Sequence, residues 1–340
     1  MAMPDLRTPD SVPVIVGAGL AGCTLAWQMH LRGLPFLLIE DQPQAAGSLV
    51  AAGMLCPVTG KAFNPSWRVE EFYQPAREFY ARVEQILGTT LWYDYPVVRP
   101  FFSAKDRRKF ERKCAENPAL AQWVDSVLES IPTAHAPDGA VVWRGSGRLH
   151  VEHYVQQSRQ YFAQQGAYQQ RAYQSTTDHR ALFTTGARGL IHAQPVPLPH
   201  RSAKGEILTI QVPDLPQDSI LSRGTWIVPT GNRDHTFLCG ANYEWDSLDN
   251  TPTAAGRRSV EEGLRQLLAL PYTVLDHRAG VRPIVRRSEP VIGTTAEGHA
   301  YLNGLGSKGT LYAPLTAHYL IQHLTGAQAP LPSYLTLTEE

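Results

Sequence analysis

Charge of one sign is missing from this sequence: 31 Lys and Arg balance 31 Asp and Glu, so the formal net charge is zero and the isoelectric point is near 7.2. No overall field draws the chain toward nucleic acid or an anionic membrane, and neither is an expected partner. Cysteine is scarce. Cys23, Cys56, Cys114 and Cys239 are separated by gaps of 33, 58 and 125 residues with no Cys-x-x-Cys. That excludes a disulfide-held module and a zinc ligand set, so no metal is expected and the thiols point to a reducing, cytoplasmic location. Long hydrophobic runs are absent too. The most apolar stretch, Val12 to Trp27, holds three glycines and follows Asp5, Arg7 and Asp10 rather than a basic leader. It is shorter than the roughly 20 residues a bilayer demands. Gly-x-Ser-x-Gly, HExxH and P-loop patterns do not occur, which leaves hydrolase and kinase chemistry without a foothold.

What is present is a globular composition, 43% apolar and 18% charged over 340 residues, with 27 Gly and 26 Pro that make it loop-rich. At roughly 150 residues per domain the length suits about two domains. There is no internal repeat, so hydrophobic period is the guide to structure. The opening reads strand (Val12 to Val16), glycine turn (Gly17 to Gly22), helix to Leu31, then strand from Phe36 to Glu40. A helix follows in which Val69, Phe72, Tyr73, Ala76, Phe79, Tyr80, Val83 and Ile86 recur at helical spacing, with Pro75 expected to kink it or mark its start. Lys105 to Lys113 reads as a basic helix and, interrupted by Asp106 and Glu111, as a solvated face. Residues 151–162 predict a helix, 181–184 a strand ending at Gly186, 205–243 a β-rich stretch, and Val260 to Leu268 a helix. A strand near Tyr301, a glycine turn at 304–309 and a helix stopped by Gly326 complete the order. α/β character at both ends around a β-rich middle predicts a nucleotide-binding domain built from discontinuous segments, with a second domain inserted into it.

The sharpest motif is Gly17-Ala18-Gly19-Leu20-Ala21-Gly22 after an apolar strand. Gly17 permits the tight turn, Gly19 lets a pyrophosphate approach the backbone, and Gly22 lets the helix pack close to the sheet. The helix start offers free amides and a partial positive charge to phosphates. Glu40 lies 18 residues after Gly22 at the tip of the second strand, where a carboxylate accepts ribose hydroxyls and repels a 2′-phosphate. The motif predicts a dinucleotide without deciding between FAD and NAD.

Three further blocks decide it by resemblance. Ser48-Leu-Val-Ala-Ala52-Gly53-Met54-Leu55, Ala279-Gly-Val-Arg282-Pro with Pro290-Val-Ile-Gly, and Asn303-Gly304-Leu-Gly306-Ser307-Lys308-Gly309-Thr310 with Ala313-Pro resemble, in order, segments of the D-amino-acid-oxidase-like flavoproteins of glycine oxidase and sarcosine oxidase type. The resemblance spans nearly the whole chain. It implies an α/β fold with a Rossmann-type FAD-binding domain (10–65, 140–200 and 278–340) and an inserted β-rich α+β substrate domain (66–139 and 201–277). It implies non-covalent FAD, since no cysteine lies in the final flavin turn and His299 has no context for attachment. Ser48, Ala52, Gly53, Met54 and Leu55 would lie along the flavin ring, Gly186 in a further contact segment, and Gly304 to Thr310 against the ring's polar edge. Lys308 would add charge there or merely flank the turn.

For chemistry the resemblance implies oxidation of the C–N bond of an amino acid or related small amine by hydride transfer to flavin N5. Arg282 would fork the substrate carboxylate, and Tyr243, with Trp245, would face the substrate or belong to the core. The alternatives are a tRNA wobble-uridine side-chain oxidase and a flavin-binding subunit without turnover. The sequence departs from the family at Arg188, where many relatives have Trp, in an Arg287-Ser-Glu stretch where an acidic residue is expected earlier, and in a short middle.

Overall fold

A computed structural model describes residues 12–44, 46–175, 181–193, 195–232, 234–285, 289–295, 297–326 and 330–337. Two sheets organise it. The first has six strands in the spatial order Tyr168–Gln169, Leu37–Ile39, Val14–Val16, Ala181–Phe183, Ala300–Asn303 and Val291–Thr294. The first five run parallel and the last is antiparallel, and Ile15 pairs with both Leu38 and Leu182. Both faces are covered, so the three strands Leu37–Ile39, Val14–Val16 and Ala181–Phe183 are wholly apolar instead of alternating. On one face lie Leu20–His30 and Gly309–Leu324, flanked by Val151–Gln164 and Val69–Leu87. Ten of the eleven residues of Leu20–His30 are buried, the mark of a helix enclosed on all sides. Phe183, Leu190, Val196, Leu198, Val285 and Val291 cover the other face.

The second sheet has eight strands: Thr273–Arg282, Ala203–Gln211, Thr236–Gly240, Thr225–Pro229, Ile220–Arg223, Val97–Pro100, Ala140–Trp143 and Val124–Leu128. Every neighbouring pair is antiparallel except Ile220–Arg223 with Val97–Pro100. Period-two alternation sorts its side chains. Leu208 and Phe237 join Val260, Leu264 and Leu267 of the helix Ala254–Leu267, while Ile207 and Leu238 face Ala52, Cys56, Val58 and Phe63.

Three stretches pack differently from the expected grouping. Val69–Leu87, expected with the inserted domain, places Phe72, Ala76, Phe79, Tyr80 and Val83 in the core of the six-stranded sheet. Its amphipathic period specifies that it packs, not upon what. Ala140–Trp143 and the end of Thr273–Arg282, expected with the dinucleotide domain, belong to the eight-stranded sheet. Pro75 lies inside the helix and does not start it. The basic helix is Ala104–Glu116, with Phe110 as its buried contact. Among the described residues no helix is long and apolar enough to cross a membrane.

Trp27 is fully buried, donates from Nε1 to Ser158 Oγ (2.8 Å), and stacks on Tyr161 at 4.9 Å. Trp27→Ala is expected to cost about 3–5 kcal/mol of unfolding free energy, read by urea titration. A loss under about 1 kcal/mol would show that this helix interface does not stabilise the fold.

Candidate functional site

The site starts at the tips of the parallel strands. Gly17, at φ 101°, turns the chain so tightly that a Cβ would lie 2.7 Å from Thr184 O, and a Cβ on Gly22 would lie 1.8 Å from Gly17 O. Both positions therefore demand glycine, as the motif predicts. At the helix start, Leu20 N–H donates to Ser48 Oγ (3.0 Å). Glu40 accepts from the Ala18 N–H (3.0 Å) and the Gln42 N–H (3.2 Å), which fixes its carboxylate at the strand tip. Arg188 donates to the neighbouring Asp41 and holds that carboxyl below the usual carboxylate range. Departure from the family at Arg188 thus supplies an ion pair beside the expected ribose position.

The segment from Gly47 to Ser66 passes between the two sheets. Leu49 and Leu55 pack into the first core, and Ala52, Cys56, Val58 and Phe63 into the second. Gly53, at φ 73°, leaves no room for a side chain: a Cβ would sit 1.9 Å from Leu149 O. Its carbonyl accepts from Leu149 N–H (3.0 Å) and Thr310 Oγ1 (3.4 Å). Gly306 N–H donates to Pro283 O (2.8 Å) and braces the final glycine turn. Lys308 reaches back to Thr59 Oγ1 (2.9 Å) and Ser66 Oγ (3.1 Å), and burial lowers its pKa. That lysine links the start of the last helix to the central segment.

Arg282 ends its strand with Nη1 donating to Lys204 O (3.3 Å) and Asn242 O (3.2 Å), and burial lowers its pKa. The guanidinium fits because Gly205, two residues beyond its register partner Ala203 on the adjacent strand, has no side chain; a Cβ there would lie 2.1 Å from Arg282 Nη2. No carboxylate among the described residues pairs with it, whereas nearby Arg278 pairs with Glu152 and Asp276. The Arg282 guanidinium lies 4.3 Å from the Tyr243 ring centroid, Tyr243 stacks on Trp245, and Tyr243 Oη meets Ser307 Oγ at 3.2 Å. Tyr243 and Trp245 lie three and five residues beyond the strand Thr236–Gly240 and are exposed, so neither belongs to the core.

One cavity of about 1170 Å³ joins these parts. It is lined by Gly17, Gly19, Leu20, Ala21, Glu40, Ser48, Ala52, Gly53, Met54, Leu55, Gly186, Gly306, Ser307, Lys308, Gly309, Thr310, Tyr243 and Arg282. Ala18, Gly22 and Gly304, also expected at the site, stand behind its wall and shape the turns. Sequence reasoning missed Arg99, Trp143, Gly205 and Trp226; all but Gly205 line the cavity. A charged residue inside the apolar run Val97-Val98-Arg99-Pro100 and a glycine within a strand were the available signals. Arg286, Arg287 and Ser288 lie outside the described residues.

The chain belongs to the FAD dependent oxidoreductase family, which it matches over residues 14–323. It is 25% identical over 343 residues to the bifunctional protein ThiO/ThiG of Nostoc sp., covering 89% of this chain and 51% of that protein. It is 27% identical over 344 residues to the tRNA 5-methylaminomethyl-2-thiouridine biosynthesis bifunctional protein MnmC of Maricaulis maris, covering 95% and 53%. The chain thus spans about half the length of the curated relatives it matches. Among solved structures it is similar to glycine oxidase from Geobacillus kaustophilus, with TM-score 0.79, 19% identity and coverage of 96% and 98%. It is also similar to iminodiacetate oxidase from Chelativorans sp. BNC1, with TM-score 0.75, 20% identity and coverage of 95% and 98%.

FAD is the cofactor of this family, and the residues fit it. The glycine turn, the carboxylate at the strand tip and the segment Ser48–Leu55 line a single cavity that exceeds the roughly 300–1,000 Å³ of an ordinary small-ligand pocket. Gly22→Val drives a side chain into the Gly17 carbonyl and is expected to yield protein without bound FAD. Flavin absorbance per protein measures it, with circular dichroism reporting on the fold; full flavin retention would mean that the turn does not hold the dinucleotide.

Proposed function

We propose that the protein oxidises the C–N bond of an amino acid or related amine that carries a carboxylate. The observation that carries this reading is Arg282: a half-buried guanidinium with no acidic partner among the described residues, on the cavity wall beneath Tyr243, whose hydroxyl meets Ser307. A guanidinium has five N–H groups, more than two backbone carbonyls take up, and its planar fork matches a carboxylate. FAD, when bound, supplies the acceptor for a hydride from the carbon bearing the amine. The residues bind and orient: Arg282 fixes the carboxylate, the Tyr243 ring covers the guanidinium with Trp245 stacked on that ring, and the backbone of Gly53 and Met54 lines the wall.

No general base is called for. The cavity's acids are Glu40 and Asp41 and its imidazole is His192, all grouped with Arg188 at the strand-tip end. The substrate must therefore be bound as the neutral amine, and water then hydrolyses the imine to a carbonyl compound and ammonia or a smaller amine. Four free cysteines, three of them buried, support a cytoplasmic location. The likeness to MnmC favours a second reading, oxidation of a carboxylate-bearing amine on a tRNA wobble uridine; zero net charge speaks against it, and a salt-sensitive gel shift with bulk tRNA would establish it.

Two outcomes are expected. Arg282→Ala raises the apparent substrate constant about 100-fold while FAD content stays near one per chain; loss of flavin instead would make the residue structural. The rate of flavin bleaching in single turnovers rises with pH until the bound amine is deprotonated, because only the neutral amine releases a hydride. A profile flat from about pH 6 to 10 would sink the mechanism.

A further inference from the structure

Arg99 stands in the middle of the eight-stranded sheet, in a strand whose four residues are all buried, and its side chain is 9% exposed. Strand alternation turns it to the side of Val97 and Phe101, and it lines the same cavity as Arg282. Both Nη1 and Nη2 are buried without a hydrogen-bond partner among the described residues. The nearest acid, Asp106, has its Oδ2 3.5 Å from Nη2 and accepts instead from the Phe102 N–H (3.1 Å). Phe63 lies flat against the guanidinium at 3.6 Å. Burial pushes its pKa down to about 10, so the cation persists at neutral pH.

Other buried arginines in the fold bridge backbone carbonyls. Arg148 donates to Ala52 O and Thr230 O, and Arg159 to Ala18 O and Pro43 O. No such bridge holds Arg99, and the walls beside it, Val97, Trp143 and Trp226, offer no acceptor. Leaving charged donors unmade in a dry site is costly, so acceptors arriving with a ligand would be strongly favoured there. Lys61 and Lys308 line the cavity as well, whereas the cavity's own carboxylates sit at the strand-tip end, so on this side Asp106, behind Arg99, is the acid set against three cations.

We infer that Arg99 is a second anion-binding point in the substrate cavity, and that the substrate is an amine carrying two carboxylates, one held by Arg282 and the other by Arg99. Planar guanidinium donors suit a carboxylate. With Asp106 already offsetting part of the charge, one arginine balances a single negative charge and not a phosphate dianion. This rests on the reading of the cavity as an amine-oxidising site, but its test does not depend on turnover.

The FAD-loaded protein is titrated with inert ligands, the dicarboxylates from malonate to adipate and monocarboxylates of equal chain length, with perturbation of the flavin spectrum as the readout. At least one dicarboxylate is expected to bind about 10- to 100-fold more tightly than its monocarboxylate counterpart. Arg99→Met erases that preference and leaves monocarboxylate binding within about 3-fold, and Arg99→Lys restores part of it. No preference for any dicarboxylate in the wild-type protein, or equal weakening of both classes in Arg99→Met, overturns the assignment. The wild-type series decides alone if the methionine variant does not fold. Preference without oxidation of any amine would leave Arg99 in place and remove the proposed reaction; bleaching by glycine or sarcosine without the preference would do the reverse.

Discussion

The structure depends on a strip of backbone held between two sheets. Residues 47–66 contribute Leu49 and Leu55 to one hydrophobic core and Ala52, Cys56, Val58 and Phe63 to the other, so neither core closes without it. The fit is tight enough that side chains are excluded at fixed points: a Cβ on Gly47 would lie 2.8 Å from Val281 O, and one on Gly53 would strike Leu149 O. A long cavity persists alongside because the strip is thin where it passes the glycine turn. Packing and site are therefore one problem, and substitutions that thicken this strip disturb both.

The cavity is polarised along its length. Glu40 and Asp41 occupy one end with Arg188, and the opposite wall carries Arg282, Arg99, Lys61 and Lys308. An adenosine with its ribose hydroxyls suits the first end and an anionic substrate the second. A chain with zero net charge can still bind anions well, since the balance of 31 positive and 31 negative residues hides a local separation.

Much of this was legible in the sequence. The strand, glycine turn and helix of the dinucleotide motif is local, and its residues dictate backbone conformation directly, so Gly17, Gly22 and Glu40 were found where they stand. Arg282 is singled out by resemblance alone, and its setting is not legible, because Gly205 lies against its guanidinium from a strand 77 residues earlier and only strand register brings them together. The period of Val69–Leu87 specifies a helix but not that it joins the core of the six-stranded sheet, since an amphipathic face does not name its partner. Arg99 is illegible for a similar reason: one charge within a short apolar run does not say that a sheet will bury it.

The order of the six-stranded sheet has a consequence for how the protein comes into being. Val14–Val16 and Ala300–Asn303 flank the same central strand, Ala181–Phe183, and Leu20 of the first helix packs against Gly309 at the start of the last. The glycine turn at Gly17 to Gly22 and the far wall of the cavity, Gly306 to Thr310, thus come together only when segments that lie at widely separated positions in the sequence have met. Closure of the pocket is therefore a long-range step, and a ligand that binds only the closed form adds to the stability of that closure.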